Sequence, residues 1–135
     1  MNPLLAIAVL LSLVAATTLV GLLWRSRQGA ARAVATRPAA LDLASPGARA
    51  TLVQFSTEFC SGCPGTRRVL QELASRLDGV AHLDVDVTHR ADLVRRFSIL
   101  QTPTTLILDR DGIVRTRIGG VVRRGVIERR LEELA

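Results

Sequence analysis

The chain has 135 residues, room for one ordinary domain, and 48% of them are hydrophobic while only 3% are aromatic, so a core must be built from Val, Leu and Ile. The net charge of +6 is carried by eighteen Arg and no Lys, and it is uneven: residues 1–40 hold four Arg and no acid, whereas 41–135 set fourteen Arg against all twelve acids, a surplus of two. A nucleic-acid surface wants a concentrated basic face with aromatic or polar readers, and neither is evident, so no nucleic-acid partner is expected.

From Pro3 to Trp24 there is no charged residue. As a helix this run spans about 33 Å, enough for a bilayer core of about 30 Å. Trp24 and Arg25 follow where an interfacial aromatic and a head-group cation belong. A secretory signal would begin with basic residues and have a shorter apolar core. Here nothing basic precedes the run, and Ala31-Arg32-Ala33 and Ala33-Val34-Ala35 match a cleavage site only in the offsets of Ala. The run therefore reads as a retained transmembrane anchor, residues 1–24. Residues 25–40 read as a basic juxtamembrane linker, and 41–135 as the folded domain. Arg25, Arg27, Arg32 and Arg37 all follow the span, which by the positive-inside rule puts the domain in the cytoplasm.

Breakers at Pro38, Pro46 and Gly47 continue the linker character as far as residue 50, with Leu41-Asp42-Leu43 as a possible short first strand. Thr51–Ser56 is apolar and β-branched and reads as a buried strand. Cys60 and Cys63 come next. Val69, Leu70, Leu73, Ala74 and Leu77 then form the stripe of an amphipathic helix, which Asp78-Gly79 ends. Val80–Val87 alternates as a strand, with His82, Asp84 and Asp86 on its polar side. Ala91–Phe97 reads as a short helix capped by Thr88. Thr104–Leu108 and Ile113–Ile118 flank an Asp111-Gly112 turn as a hairpin. Val126–Leu134 is a last helix, with its Arg and Glu residues interleaved on a solvated face. The order β-α-β-α-β-β-α predicts a central mixed sheet with helices on its faces, its early strands parallel and its last two an antiparallel hairpin.

The chemistry lies in the C-x-x-C pair. Two cysteines so close enclose a tiny loop, and linking them constrains little of the unfolded chain, so the pair is a poor structural staple. A strand running straight into a helix places Cys60 at the sheet's carboxyl edge, beside the helix N-terminus. The unpaired amides and dipole there favour a thiolate, the nucleophile of disulfide exchange. Cys63, one turn on, faces the same side and can displace the mixed disulfide. Ser61 and Gly62 are small enough to leave Cys60 open to a protein substrate, and Pro64 falls in the first turn, where a missing N–H costs little. A zinc site made of Cys60, Cys63, His82 and His89 is disfavoured, because the two histidines are wrongly spaced for the usual pattern; no metal and no cofactor are expected, and both histidines read as solvated.

Strand, C-x-x-C, helix, then Thr102-Pro103-Thr104 opening a strand and Gly119 after a hairpin: over roughly residues 50–134 the chain resembles the thioredoxin family. The resemblance implies a thioredoxin-like three-layer sandwich and a thiol–disulfide oxidoreductase acting on protein disulfides or dithiols, with a redox donor or acceptor as second partner. A monomer is expected, in contact with the membrane through the N-terminal helix. The resemblance also implies a cis peptide before Pro103, packing of Pro103 on the cysteine pair, and a substrate strand laid along the backbone of Thr102. Phe59 stands where the family often has Trp and is grouped with Thr102 and Pro103 as a substrate contact. Ser61-Gly62 replaces the usual Gly-Pro. Gln54 occupies the place of a buried acid that in the family moves the second cysteine's proton; Gln holds no proton to give at neutral pH and is expected to tune the rate. These departures motivate a second reading, a non-catalytic thioredoxin-fold interaction module at the membrane. Membrane-tethered members that face outward leave the extracytoplasmic side open.

Overall fold

The computed structural model describes residues 2–27, 29–36 and 45–135. Its elements are α1 (Pro3–Arg27), β1 (Ala31–Thr36), β2 (Ala50–Ser56), α2 (Cys63–Arg76), β3 (Val80–Asp86), α3 (Ala91–Arg96), β4 (Thr104–Asp109), β5 (Val114–Gly119) and α4 (Arg124–Glu132). The five strands form one sheet in the order β1-β5-β4-β2-β3.

The sheet is mixed, and β2 lies near its middle because every one of its residues is buried. An apolar strand with no polar alternation can only be satisfied by helices on both faces. On one face Leu52, Ile107 and Ile118 pack against Leu70 and Leu73 of α2 and Ile127 and Leu131 of α4. On the other, Val53, Phe55, Leu106 and Leu108 pack with Leu93 and Phe97, from α3 and the residue after it. Three layers result, as the sequence predicts. α2 buries Cys63, Thr66, Leu70 and Leu73, one helical stripe, and after Leu77 the chain turns at Gly79 with φ +75°.

The pairing bears out the expected mixed sheet: β3 runs parallel to β2, and β4 and β5 form an antiparallel hairpin; β4 also runs antiparallel to β2, a direction the sequence leaves open. That hairpin is closed by Asp109, whose Oδ1 accepts from the amides of Asp111 and Ile113, both at 2.9 Å, while Gly112 takes φ +74°. Thr88 does not cap α3. The N-cap is Arg90, without a side-chain bond; the Thr88 hydroxyl accepts from the Glu58 amide at 3.1 Å and donates to Asp86. Thr88 thus ties the loop after β3 to the one after β2.

The largest difference is β1. Residues 31–36 fall in the segment read as linker, yet they add an edge strand antiparallel to β5, Ala31 opposite Ile118 and Thr36 opposite Val114. Ala-Arg-Ala-Val-Ala-Thr has weak strand propensity. Main-chain pairing on an open sheet edge, together with half-buried Ala31 against the α2–α4 core, supplies what propensity lacks. The expected strand at Leu41–Leu43 lies outside the described residues. α1 is one continuous helix of 25 residues, none of them buried, long and apolar enough to cross a membrane.

The polar face of β3 also differs from expectation. His82 is half-buried and its Nε2 has no hydrogen-bond partner, while Asp84 accepts from Ser56 Oγ at 2.6 Å and pairs with Arg67 of α2. Burial pushes the His82 pKa below 6.5, Asp84 opposes that shift, and Arg67 adds to it. Neutral imidazole is therefore favoured in the folded state. Stability is full above pH 6.5, where the unfolded chain's imidazole is neutral too, and falls as acidification through 6.5 protonates the unfolded chain first. Urea unfolding between pH 7 and about 5 is expected to show this loss in wild type, and His82→Gln is expected to flatten it. An unchanged slope would remove His82 as its source.

Candidate functional site

The site grows from the point where β2 ends. Its last residues carry the chain to the carboxyl edge of the sheet, and Thr57–Gly62 turns into α2 through bonds from the Cys60 amide to Thr57 O and from the Cys63 amide to Cys60 O, each 3.3 Å. Cys63 is the first residue of α2 and heads its buried stripe, whereas Cys60 stands just outside the helix, half-exposed. The helical stripe therefore decides which sulfur faces water: Cys63 is held against the core, and Cys60 stays half-exposed. The two form a disulfide, with Cα atoms 5.4 Å apart.

Pro103 is buried against this turn, and the Thr102-Pro103 peptide is cis. A methyl group added to Gly62 would lie 3.4 Å from Pro103 Cδ and 2.8 Å from Val121 Cγ2, so Gly62, Pro103 and Val121 close on one another. The Gly120 amide donates to Pro103 O at 2.8 Å, and the Thr57 and Thr102 hydroxyls share a hydrogen bond at 3.2 Å. Phe59, 89% exposed, forms with Cys60, Gln101, Thr102, Pro103 and Val121 the walls of a groove over the disulfide.

The structure thus gathers Cys60, Cys63, Phe59, Thr102 and Pro103 in one place. Gln54 lies beneath them, fully buried, donating Nε2–H to Cys63 O at 3.0 Å. Its Oε1 is buried without a partner, as are the hydroxyls of Thr66 and of Thr105, its cross-strand neighbour. Gln54 braces the first residue of the helix but brings no charge under the sulfurs. Sequence reading passed over Thr57, Gln101, Gly120 and Val121. The signal for the last two was present: Gly119-Gly120 followed by an apolar residue marks a chain reversal that leaves Val121 exposed. The zinc alternative needs four ligands together; among the described residues no three of His, Cys, Asp or Glu converge, and His89 is exposed at the far end of the β3 loop.

Among solved structures the chain is similar to chloroplastic thioredoxin z, at 23% identity and a TM-score of 0.57, covering 64% of this chain and 79% of that one. It is similar also to thioredoxin-2 of the malaria parasite, at 19% identity and TM-score 0.57 over 63% and 82% of the two chains. Fasciola hepatica thioredoxin matches at 18% identity and TM-score 0.57 over 69% and 88%. At these identities the likeness speaks for the fold. No curated protein matches the chain. The thioredoxin family model matches residues 41–133. The cysteine pair, the cis proline and strands β2 to β5 fall within that stretch, and the chain belongs to the thioredoxin family.

Proposed function

We propose that this protein is a membrane-tethered thiol–disulfide oxidoreductase that exchanges disulfides with protein substrates through Cys60 and Cys63. The observation that carries the reading is the asymmetry of the pair: Cys60 half-exposed in a groove, Cys63 buried one turn away at the start of α2. In the reduced state the Cys60 thiolate, favoured by the helix N-terminus, attacks one sulfur of a substrate disulfide. A bond forms between Cys60 Sγ and that sulfur, and the other substrate sulfur leaves as a thiolate and takes up a proton. Cys63, losing its proton to water, attacks Cys60 Sγ; the intramolecular disulfide forms and the second substrate sulfur is released. Two electrons pass from the pair to the substrate, and an external dithiol restores the pair. Thr102 and Phe59 hold the substrate segment along the groove, Pro103 shapes its floor, and Gln54 fixes the carbonyl of Cys63. With Gln54 standing where a carboxylate would take the proton, the second proton leaves through solvent. The protein acts as a monomer, without cofactor, metal or nucleic acid.

The folded domain comprises residues 41–135 together with the edge strand, and α1 serves as the anchor. The arginines from Arg25 onward, all after the apolar run, favour the cytoplasmic side for the domain, where thiols stay reduced and a reductase direction fits. Dithiothreitol-driven reduction of a protein disulfide by the full chain, absent from the Cys60/Cys63 double mutant, tests the activity. The rate of Cys60 alkylation by a membrane-impermeant maleimide is expected to have its pH midpoint at least about one unit below the value near 8.5 of a free cysteine. A midpoint at that free value would favour the non-catalytic module. The same reagent on intact cells reads the side, since an inward domain stays unlabelled until lysis.

A further inference from the structure

The anchor joins the domain at the edge that carries the cysteines. β2 runs toward that edge; β4 starts there, with Thr104 opposite Phe55; β5 ends there, with Gly119 opposite Thr104; β1 begins there, with Ala31 opposite Ile118. α1 ends at Arg27, whose carbonyl accepts from the Ala30 amide at 3.4 Å, and the Gly29 amide already donates to Gly119 O at 2.8 Å. Two residues of chain reach at most about 7 Å, so the domain has no tether on which to swing away. The contacts then run straight to the site. A side chain at Gly29, which holds φ +74°, would lie 2.6 Å from Val121 O, and Val121 Cγ2 lies against Gly62 in the wall of the groove that Pro103 also lines. Across the sheet, β1 and β2 are three strand spacings apart, about 14 Å.

This arrangement leaves a path. A cleft beside the end of α1 is lined by Arg27, Arg32, Leu100, Gln101 and Arg117, and Gln101 is also a wall of the groove over Cys60. Leu100 is 95% exposed. An extended segment rising from the bilayer next to α1 would meet apolar and cationic side chains first and reach the sulfurs on the far side of Gln101. A bulky folded protein arriving from solution would have to enter between this edge and the lipid head groups.

Resting on the oxidoreductase and anchor readings above, we infer that the substrates are disulfides in the juxtamembrane segments of other membrane proteins, within about 20 Å of the bilayer surface. The exchange is the one already described, with electrons passing from the cysteine pair to the substrate disulfide and an external dithiol as donor. The short connection acts as an effective-concentration device for targets at matching height and gives none to targets it cannot reach.

The test uses the full chain in liposomes with dithiothreitol as donor, and three probes bearing the same disulfide loop. One is a single-span peptide with the loop about 10 Å from the bilayer, one has it about 60 Å away on a helical spacer, and one is dissolved. The near probe is expected to be reduced at least about tenfold faster than the far one. Inserting about twenty Gly/Ser residues between Arg27 and Gly29 is expected to bring the ratio within about twofold, without changing the rate on the dissolved peptide. Equal rates on near and far probes with the native chain, or a ratio that survives the insertion, overturn the inference while turnover of the dissolved peptide leaves the oxidoreductase standing. No reduction of the dissolved peptide overturns the exchange reading and this inference with it, and a chain that fails to float with the liposomes overturns the anchor.

Discussion

Cys60→Ser protein is expected to reduce no disulfide above the rate of dithiothreitol alone, while Cys63→Ser protein is expected to accumulate covalent mixed disulfides with its substrate. The two substitutions are nearly isosteric, so fold and groove are retained and the difference isolates chemistry. Serine at 60 removes the only half-exposed sulfur in the groove; the sulfur of Cys63 lies buried under the first turn of α2, where no substrate disulfide reaches it. Serine at 63 leaves the attacking sulfur intact and removes the one that resolves the intermediate. Non-reducing gels of the full chain incubated with an excess of a single-disulfide protein read both outcomes. Adducts on the Cys60→Ser protein but not on Cys63→Ser would reverse the assigned roles, and residual turnover by both would remove the pair from the mechanism.

The elements around the sulfurs were legible because local chemistry and tertiary placement agree there. Thr51–Ser56 is buried throughout because both faces are covered, and helix α2 shows its stripe because one face is. Pro103 was readable only through the resemblance, since nothing in Thr-Pro-Thr by itself selects a cis peptide or a contact with residues forty positions earlier. What stayed hidden depends on pairing rather than on pattern. β1 is held by main-chain bonds to β5, and an Ala-Arg alternation carries little trace of such bonds. The direction of β4 is invisible for the same reason, since an apolar run reads alike either way along the chain. His82 obeys strand alternation, yet α2 and its Arg67 cover the face that alternation assigns to solvent. Gln54 was identified by position, but its bond to Cys63 O and the unpaired buried oxygens around it emerge only when β2, β4 and α2 are brought together.

The heaviest loss of stability is expected from Phe55→Ala, at about 3–5 kcal/mol. Phe55 is fully buried, the largest such side chain in the protein, and sits in β2 five residues before Cys60. Its ring lies 5.2 Å from that of Phe97, tilted by 36°, and shares a cluster with Leu93, Leu106 and Leu108. Truncation leaves a cavity that the sheet cannot close, because Phe55 is fixed on one side by Val85 of β3 and on the other by Thr104 of β4. A domain of this size holds only about 5–15 kcal/mol in all. Urea unfolding of the full chain should show the midpoint falling with little change in slope. Phe97→Ala acts on the same contact, so the double mutant is expected to cost less than the two singles added together, by about 0.5–1.5 kcal/mol. Cysteine exchange measured below the melting range is expected to persist in Phe55→Ala, because the opposite face of the sheet carries α2. Strict additivity of the two substitutions would mean that the rings do not support each other, and each would then act through its other neighbours in the cluster, such as Leu93, Val94 and Ile99.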